Sequence, residues 1–204
     1  MQNDIKLLIE SRNNYYARNA VPVSSNGFYW DFKVETDNPD QLFNLVISRI
    51  SSLPDKFNIW GVEAPSSEEG TDIPAEGIWR KTLLNTTFYT FDLERYLMTP
   101  DYKSVRDLAA NAPYDQIYIL VNSNKYGGGA IYNYYSVCVS GNIFSDYVFS
   151  HEFGHGFSFL ADEYYTSDVA YNDFYPLDVE PLEPNITTLV DFDKKWKDMV
   201  DKNT

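Results

Sequence analysis

The sequence Ser150-His151-Glu152-Phe153-Gly154-His155 decides how this chain is interpreted. It contains the only two histidines of the 204 residues, separated by three positions. On a helix, residues four apart lie on one face about 6 Å apart along the axis, so both imidazoles can bind one metal ion. Glu152 can then accept a proton from a water molecule that the metal activates. The spacing therefore predicts a hydrolytic metal site.

The residues around the two histidines predict a helix over residues 147–160, with Ser145 or Asp146 as its N-cap. At 3.6 residues per turn, four apolar side chains fall on one stripe and the histidines on the opposite side. The stripe consists of Phe149, Phe153, Phe157 and Leu160. We expect this stripe to pack on the protein core and the imidazoles to face a cleft, whereas two core histidines would share the apolar stripe.

A catalytic zinc usually has three protein ligands, so a third must accompany the two histidines. The chain has no third histidine, and Cys138 is its only cysteine, so an oxygen ligand is expected. Asp162 is the nearest candidate, but a straight helix would place it about 16 Å along the axis from His151. The helix is therefore expected to end soon after His155 and the chain to fold back. The alternative ligands are Glu163, Glu180 and Glu183.

Upstream of the motif, strand-like and helix-like segments are interspersed, which predicts a mixed α/β fold. Strands are expected at residues 28–35, 57–62, 115–121 and 131–139, and a further strand or an extended segment is expected at residues 82–91. Helices are expected to start within residues 5–9, to run from about residue 40 to Pro54, and to span residues 104–112 and 191–200. The glycines at 127–129 are expected to turn the chain between the last two strands.

Composition limits the partners of this chain. It has 30 acidic and 16 basic side chains, and the resulting charge of −14 repels nucleic acids and anionic lipids. We therefore expect no nucleic-acid partner. No apolar run approaches the roughly 18 residues of a membrane span, so we expect no membrane-spanning segment. The first residues lack the basic and apolar regions of a signal peptide.

The sequence of residues 151–165, HEFGHGFSFLADEYY, closely resembles the active-site signature of the IgA-peptidase-like metallopeptidases. These igalysins are bacterial zinc peptidases of the metzincin clan. Further matches follow the expected order at residues 57–60, 112–115, 121–128 and 183–187. The resemblance covers roughly residues 57–200, which makes it far more specific than the two histidines and one glutamate alone.

The resemblance implies a metzincin-like catalytic domain, in which a mixed twisted sheet covers an active-site helix. It implies a secreted or cell-surface zinc metalloendopeptidase that hydrolyses a protein or peptide substrate. Zinc would be bound by His151, His155 and Asp162, with Glu152 as general base. In the wider clan an edge strand pairs with the extended substrate, and residues 117–122 are the candidate here. The expected substrate-binding residues are Asn122, Tyr126, Gly127 and Gly128.

The chain departs from the family pattern in three places. Phe159 stands where the family commonly has glycine, and about 50 residues at the start do not match. The clan also places a methionine turn under the metal, whereas Met199 is the only methionine after the motif. We expect residues 1–56 to form an atypical N-terminal segment packed on the same domain. Residues 57–204 are expected to form a metallopeptidase region truncated at its C-terminus.

The alternative function is a catalytically inactive secreted module that binds carbohydrate or protein and retains a structural metal site. The 17 tyrosines and 4 tryptophans favour it, because aromatic side chains are common in binding surfaces. The acidic segment 162–173 could bind calcium, but it lacks a regular calcium-loop motif. A solvated acidic loop is the preferred interpretation of that segment.

Overall fold

The computed structural model describes residues 3–12, 21–22, 57–163 and 175–200. The strands are β1 (Asn3–Arg12), β2 (Val21–Pro22), β3 (Phe57–Ser66), β4 (Gln116–Val121), β5 (Gly128–Ile131) and β6 (Tyr135–Val139). The helices are α1 (Tyr102–Ala109), α2 (Ser145–Ser158) and α3 (Phe192–Lys195), with 3-10 turns at Pro74–Glu76 and Thr90–Asp92. This mixture of strands and helices confirms the expected α/β class.

The six strands form one mixed sheet in the order β2-β3-β1-β4-β6-β5. β1 pairs in parallel with both β3 and β4, and β4 pairs in parallel with β6. β5 runs antiparallel to β6 at one end of the sheet, and β2 runs antiparallel to β3 at the other. Every residue of β4 is buried, as the apolar run at residues 117–121 favours for an interior parallel strand.

The expectation that residues 117–122 form the edge strand is wrong, because β4 lies between β1 and β6. The edge strand on this side is β5. The prediction that a helix starts within residues 5–9 is also wrong, since these residues belong to β1. Residues 5–9 are apolar except for Lys6, and so short a segment fits a strand as well as a helix; here two neighbouring strands supply its hydrogen bonds.

Residues 131–139 form two strands rather than one, because the chain turns between Ile131 and Tyr135. Gly128 and Gly129, expected in a turn, instead belong to β5. Residues 82–91 form isolated bridges and part of a 3-10 turn instead of a regular strand. The expected helix over residues 191–200 is helical only at Phe192–Lys195.

The strands expected at residues 57–62 and 115–121 and the helices expected at residues 104–112 and 147–160 are confirmed, with shifted ends. The strand expected at residues 28–35 and the helix from about residue 40 to Pro54 lie outside the described residues. None of the helices in the described part of the chain is both long and apolar enough to cross a lipid bilayer.

The chain divides into two compact units, Met1–Phe157 and Ser158–Thr204. The first contains the sheet, α1 and most of α2. Its core is formed by apolar side chains from the strands and from the loops that precede α1, among them Val62, Leu84, Phe88, Leu97, Ile117, Ile119, Tyr135 and Val137. In the second unit the ammonium group of Lys195 donates hydrogen bonds to the carbonyl oxygens of Pro181 and Ile186.

Hydrogen bonds from the sheet and its hairpin reach three carbonyl oxygens of α2. The Tyr118 hydroxyl donates to Phe149 O at 3.0 Å, and the Ser136 hydroxyl donates to Glu152 O at 2.7 Å. The backbone N–H of Asn133, in the β5–β6 turn, donates to Gly156 O at 3.1 Å. These carbonyls lie three and four residues apart, so they mark one face of the helix.

The same face carries the buried residues of α2, which are Ser145, Val148, Phe149, Glu152 and Gly156. The predicted stripe of phenylalanines is therefore only partly correct. Phe149 is buried, but Phe153 and Phe157 are partly exposed and stack on each other with ring centroids 5.0 Å apart. Hydroxyl groups of the underlying strands bond to the backbone of α2 and hold it against the sheet. The face of α2 that contacts the sheet is therefore rotated away from the stripe of phenylalanines.

Gly156 allows α2 to lie close to the sheet. A Cβ atom at this position would lie 2.3 Å from Ser136 Oγ and 2.7 Å from Gln116 Nε2. Both distances are shorter than a van der Waals contact, so any side chain would push the helix outward.

Replacing Gly156→Ala should lower the free energy of unfolding by about 1–3 kcal/mol, because overpacking outweighs the better helix propensity of alanine. Urea denaturation measures this loss. In a Ser136→Ala background the loss should be smaller, because the colliding hydroxyl is gone. Equal losses in the two backgrounds would contradict this account of the glycine.

The end of α2 has an unusual backbone conformation. Phe159 follows the last helical residue and has φ +58°, in the left-handed region that favours glycine. The resembled family commonly has glycine at this position, and Phe159 adopts here a conformation that glycine would adopt more easily.

Replacing Phe159→Gly should raise the free energy of unfolding by up to about 1 kcal/mol, because the left-handed conformation disfavours a Cβ atom. The phenylalanine is 42% exposed, so loss of its ring should cost less than this gain. The control is Phe159→Ala, which removes the ring but keeps Cβ. Thermal denaturation should show stabilisation by glycine and none by alanine; a glycine variant no more stable than the alanine variant would refute the explanation.

Candidate metal centre

The two histidines of α2 are spaced for a shared metal ion. Their Nε2 atoms are 3.1 Å apart, and their rings are nearly perpendicular, at 82°. Two nitrogen ligands of a tetrahedral ion such as zinc, each 2.0–2.1 Å from the metal, are roughly 3.3 Å apart. Both rings are partly exposed, so His151 and His155 are not core histidines.

The carboxylate of Asp162 completes a group of three. His151, His155 and Asp162 each offer one ligand atom, and these atoms all lie within 4.8 Å of one another. Two imidazole nitrogens and a carboxylate oxygen are a frequent ligand set of catalytic metal centres, in which a fourth position binds water or substrate. The residues present therefore fit a divalent metal ion, as the sequence predicts.

The other candidate carboxylates make different interactions. Glu163 Oε1 accepts a hydrogen bond from Asn185 Nδ2 at 2.8 Å. Glu180 forms an ion pair with Lys195 at 3.2 Å. Burial opposes its ionisation, but hydrogen bonds from Thr187, the Asp191 N–H and Lys195 lower the pKa of Glu180 to about 2. Among the described residues, the carboxylate grouped with the histidines is that of Asp162.

Glu152 lies on the sheet-facing side of α2 and is 9% exposed. A Cβ atom on Gly128 would lie 3.0 Å from Glu152 Oε1 and 2.5 Å from Val148 Cγ1. The missing side chain of Gly128 thus leaves room for the carboxylate between α2 and β5. The position of Glu152 beside the metal ligands stays a prediction from the sequence; the structure shows that the edge strand β5 forms one wall around its carboxylate.

Two further titratable groups lie near Glu152. Burial raises the pKa of the Tyr118 hydroxyl and of the Cys138 thiol, and the charge of Glu152 raises both further. Both groups therefore stay protonated at neutral pH. Because the thiolate is the reactive form of cysteine, Cys138 is chemically inert in this position.

The predicted substrate-binding residues lie in different surroundings. Gly128 lies beside Glu152, and its N–H and C=O bond to Arg95 O at 3.1 Å and Leu97 N at 3.0 Å. Gly127 O accepts a hydrogen bond from Val139 N at 3.3 Å. Asn122 borders a polar cleft of about 500 Å³.

The fourth predicted substrate-binding residue, Tyr126, belongs to a group of exposed aromatic side chains. Its ring is 42% exposed and meets Phe144 edge-on, with centroids 6.1 Å apart. Tyr147 is 65% exposed, and its ring is stacked against the His151 ring at 6.0 Å. Sequence reasoning missed Tyr147, although it lies four residues before His151, so that both fall on one helix face.

The structure also gives the surroundings of two residues near the C-terminus, Asn185 and Met199. Asn185, noticed in the sequence only as part of a matching segment, bonds to the residues that flank Asp162. Met199 is 73% exposed, so it is a surface residue. The tyrosines at 164 and 165, and most of the acidic segment considered for calcium, lie outside the described residues.

Comparison with known proteins gives one family. The sequence model of the family described as IgA peptidase M64 matches residues 38–204. No curated protein matches the chain.

Proposed function

Because this chain belongs to the IgA peptidase M64 family, we propose that it is a zinc-dependent endopeptidase with a metzincin-like catalytic domain. The observation that carries the proposal is the 3.1 Å separation of the two histidine Nε2 atoms. A peptidase family implies a protein or peptide substrate. The ligand set of two imidazoles and one carboxylate supports zinc as the metal.

His151, His155 and Asp162 would hold the zinc ion. When bound, zinc lowers the pKa of a water molecule to about 7 and polarises the scissile carbonyl group. The family assignment and the matched motif support Glu152 as the base. Its carboxylate accepts the proton of the attacking water and delivers it to the departing amine.

The proposed substrate strand lies along the outer edge of β5. This edge borders Glu152 at Gly128, and an extended peptide can add to an exposed strand through main-chain hydrogen bonds. Arg95 and Leu97 already occupy the outer backbone groups of Gly128. We therefore propose that the substrate pairs with β5 at Ala130. The backbone N–H and C=O of Ala130 lie on the same outer edge of β5 as those of Gly128, two residues earlier. The proposed side-chain contacts beyond this strand are Asn122 and Tyr126.

We also propose that the enzyme acts outside the cell or at its surface. The description of the family names IgA, a secreted antibody, and supports an extracellular substrate. Fractionation of the producing cells tests this location.

The purified chain should bind one zinc ion, and both His155→Ala and Asp162→Asn should abolish stoichiometric binding, because each removes one of three ligands. Metal analysis after dialysis against zinc measures this. Glu163→Gln is the matched control for the third ligand, since it neutralises the adjacent carboxylate and should leave binding intact. Loss of zinc in the control but not in Asp162→Asn would assign the ligand to Glu163.

Replacing Glu152→Gln should leave zinc bound and reduce peptide cleavage at least about 100-fold, because the amide cannot accept the proton. Cleavage of a library of fluorogenic peptides measures the rate, and zinc content is determined on the same samples. A variant that cleaves at the wild-type rate would exclude Glu152 as the base. Stoichiometric zinc in a wild-type chain that cleaves no peptide would favour the alternative binding module.

A further inference from the structure

One amide side chain holds the chain on both sides of the third ligand. Between Phe159 and Glu163 the backbone is neither helix nor strand. Asn185 Oδ1 accepts the N–H of Ala161 at 2.8 Å, and Asn185 Nδ2 donates to Ala161 O at 2.8 Å. The same Nδ2 also donates to Glu163 Oε1 at 2.8 Å. The residues immediately before and after Asp162 are therefore both bound to Asn185.

The chemistry of these three bonds requires an amide. Asn185 offers an acceptor and two N–H donors, and the two bonds to Ala161 reproduce the pairing of a neighbouring strand. A serine or threonine hydroxyl has one donor, and an aspartate has none at neutral pH. The three distances are all typical of good hydrogen bonds, and Asn185 is partly buried.

The three metal ligands differ in how they are held. His151 and His155 belong to α2, whose backbone hydrogen bonds fix their spacing. Asp162 follows the end of α2, so it has no helix to hold it. If this segment were loose, binding a metal would have to order it. Ordering even one residue changes an affinity by about tenfold.

We propose that Asn185 is a positioning residue for the metal site, which holds residues 161–163 so that Asp162 is placed to ligate before the metal binds. This inference rests on the proposed zinc site. It also gives a role to the segment Asn185-Ile186-Thr187, whose sequence matches a glycosylation acceptor. A glycan on Asn185 Nδ2 would remove one of the donors, so the three hydrogen bonds require an unmodified side chain.

The test compares zinc affinity among variants of the full chain, by competition with a chromophoric chelator. Asn185→Ala should bind zinc about tenfold more weakly than wild type, the size expected when a group supporting a ligand is lost. The matched control is Thr188→Val, because the Thr188 hydroxyl lies in the same unit but donates to other residues, to Val179 O at 2.8 Å and to Glu180 Oε2 at 3.2 Å. This control should keep wild-type affinity.

Thermal denaturation of the metal-free variants separates positioning from general stability. If Asn185→Ala fails to fold, Asn185→Leu, which keeps the side-chain volume but has no polar atom, takes its place with the same expected loss. Unchanged zinc affinity in the variant that lacks Asn185, or an equal loss of zinc affinity in Thr188→Val, overturns the positioning role. A wild-type chain that binds no zinc refutes the proposed function itself. Wild-type binding with unchanged affinity in Asn185→Ala refutes the positioning role alone.

Discussion

The spacing of two imidazoles across one turn of α2 is the constraint on which the site depends. Helix geometry sets the distance between His151 and His155, and their Nε2 atoms lie 3.1 Å apart. The same regularity carries any later residue away from the pair. A third ligand from the following sequence therefore requires the helix to end, and it ends at Ser158, before Phe159 with its left-handed φ. In the proposed metal site the helix would supply two ligands, and the segment that follows its end would supply the third.

The face of the sheet on which α2 packs contains buried hydroxyl groups as well as apolar side chains. Tyr118 and Ser136 are completely buried, and their hydroxyls bond to helix carbonyls. Buried hydroxyls are costly unless they are hydrogen-bonded, so these two favour one axial and rotational position of the helix. Gly156 permits the short distance that the bonds require. An apolar contact would tolerate sliding, whereas directional bonds fix the helix that carries the histidines.

Predictions from the sequence succeeded where a short segment carries its own pattern of apolar residues. The apolar run in β4 favours a buried strand, and the structure buries it fully. Its assignment as the edge strand came from the resemblance to the clan and was wrong, although the unbroken apolar run at residues 117–121 already favoured an interior position. Gly128 is needed for close packing against α2 rather than for a turn, and the sequence alone does not separate these two uses of glycine.

The sequence by itself determined the helix, the pair of histidines on one of its faces and the need for the chain to turn back after them. These follow from hydrogen bonds between residues four apart, which a stretch of about fifteen residues specifies. Only the tertiary structure decided the buried position of Glu152, the order of the strands and the part played by Asn185. Those features depend on contacts between residues distant in sequence, such as the 24-residue separation between Asn185 and Ala161. No local pattern encodes such a contact, because its partner is chosen by the folded chain.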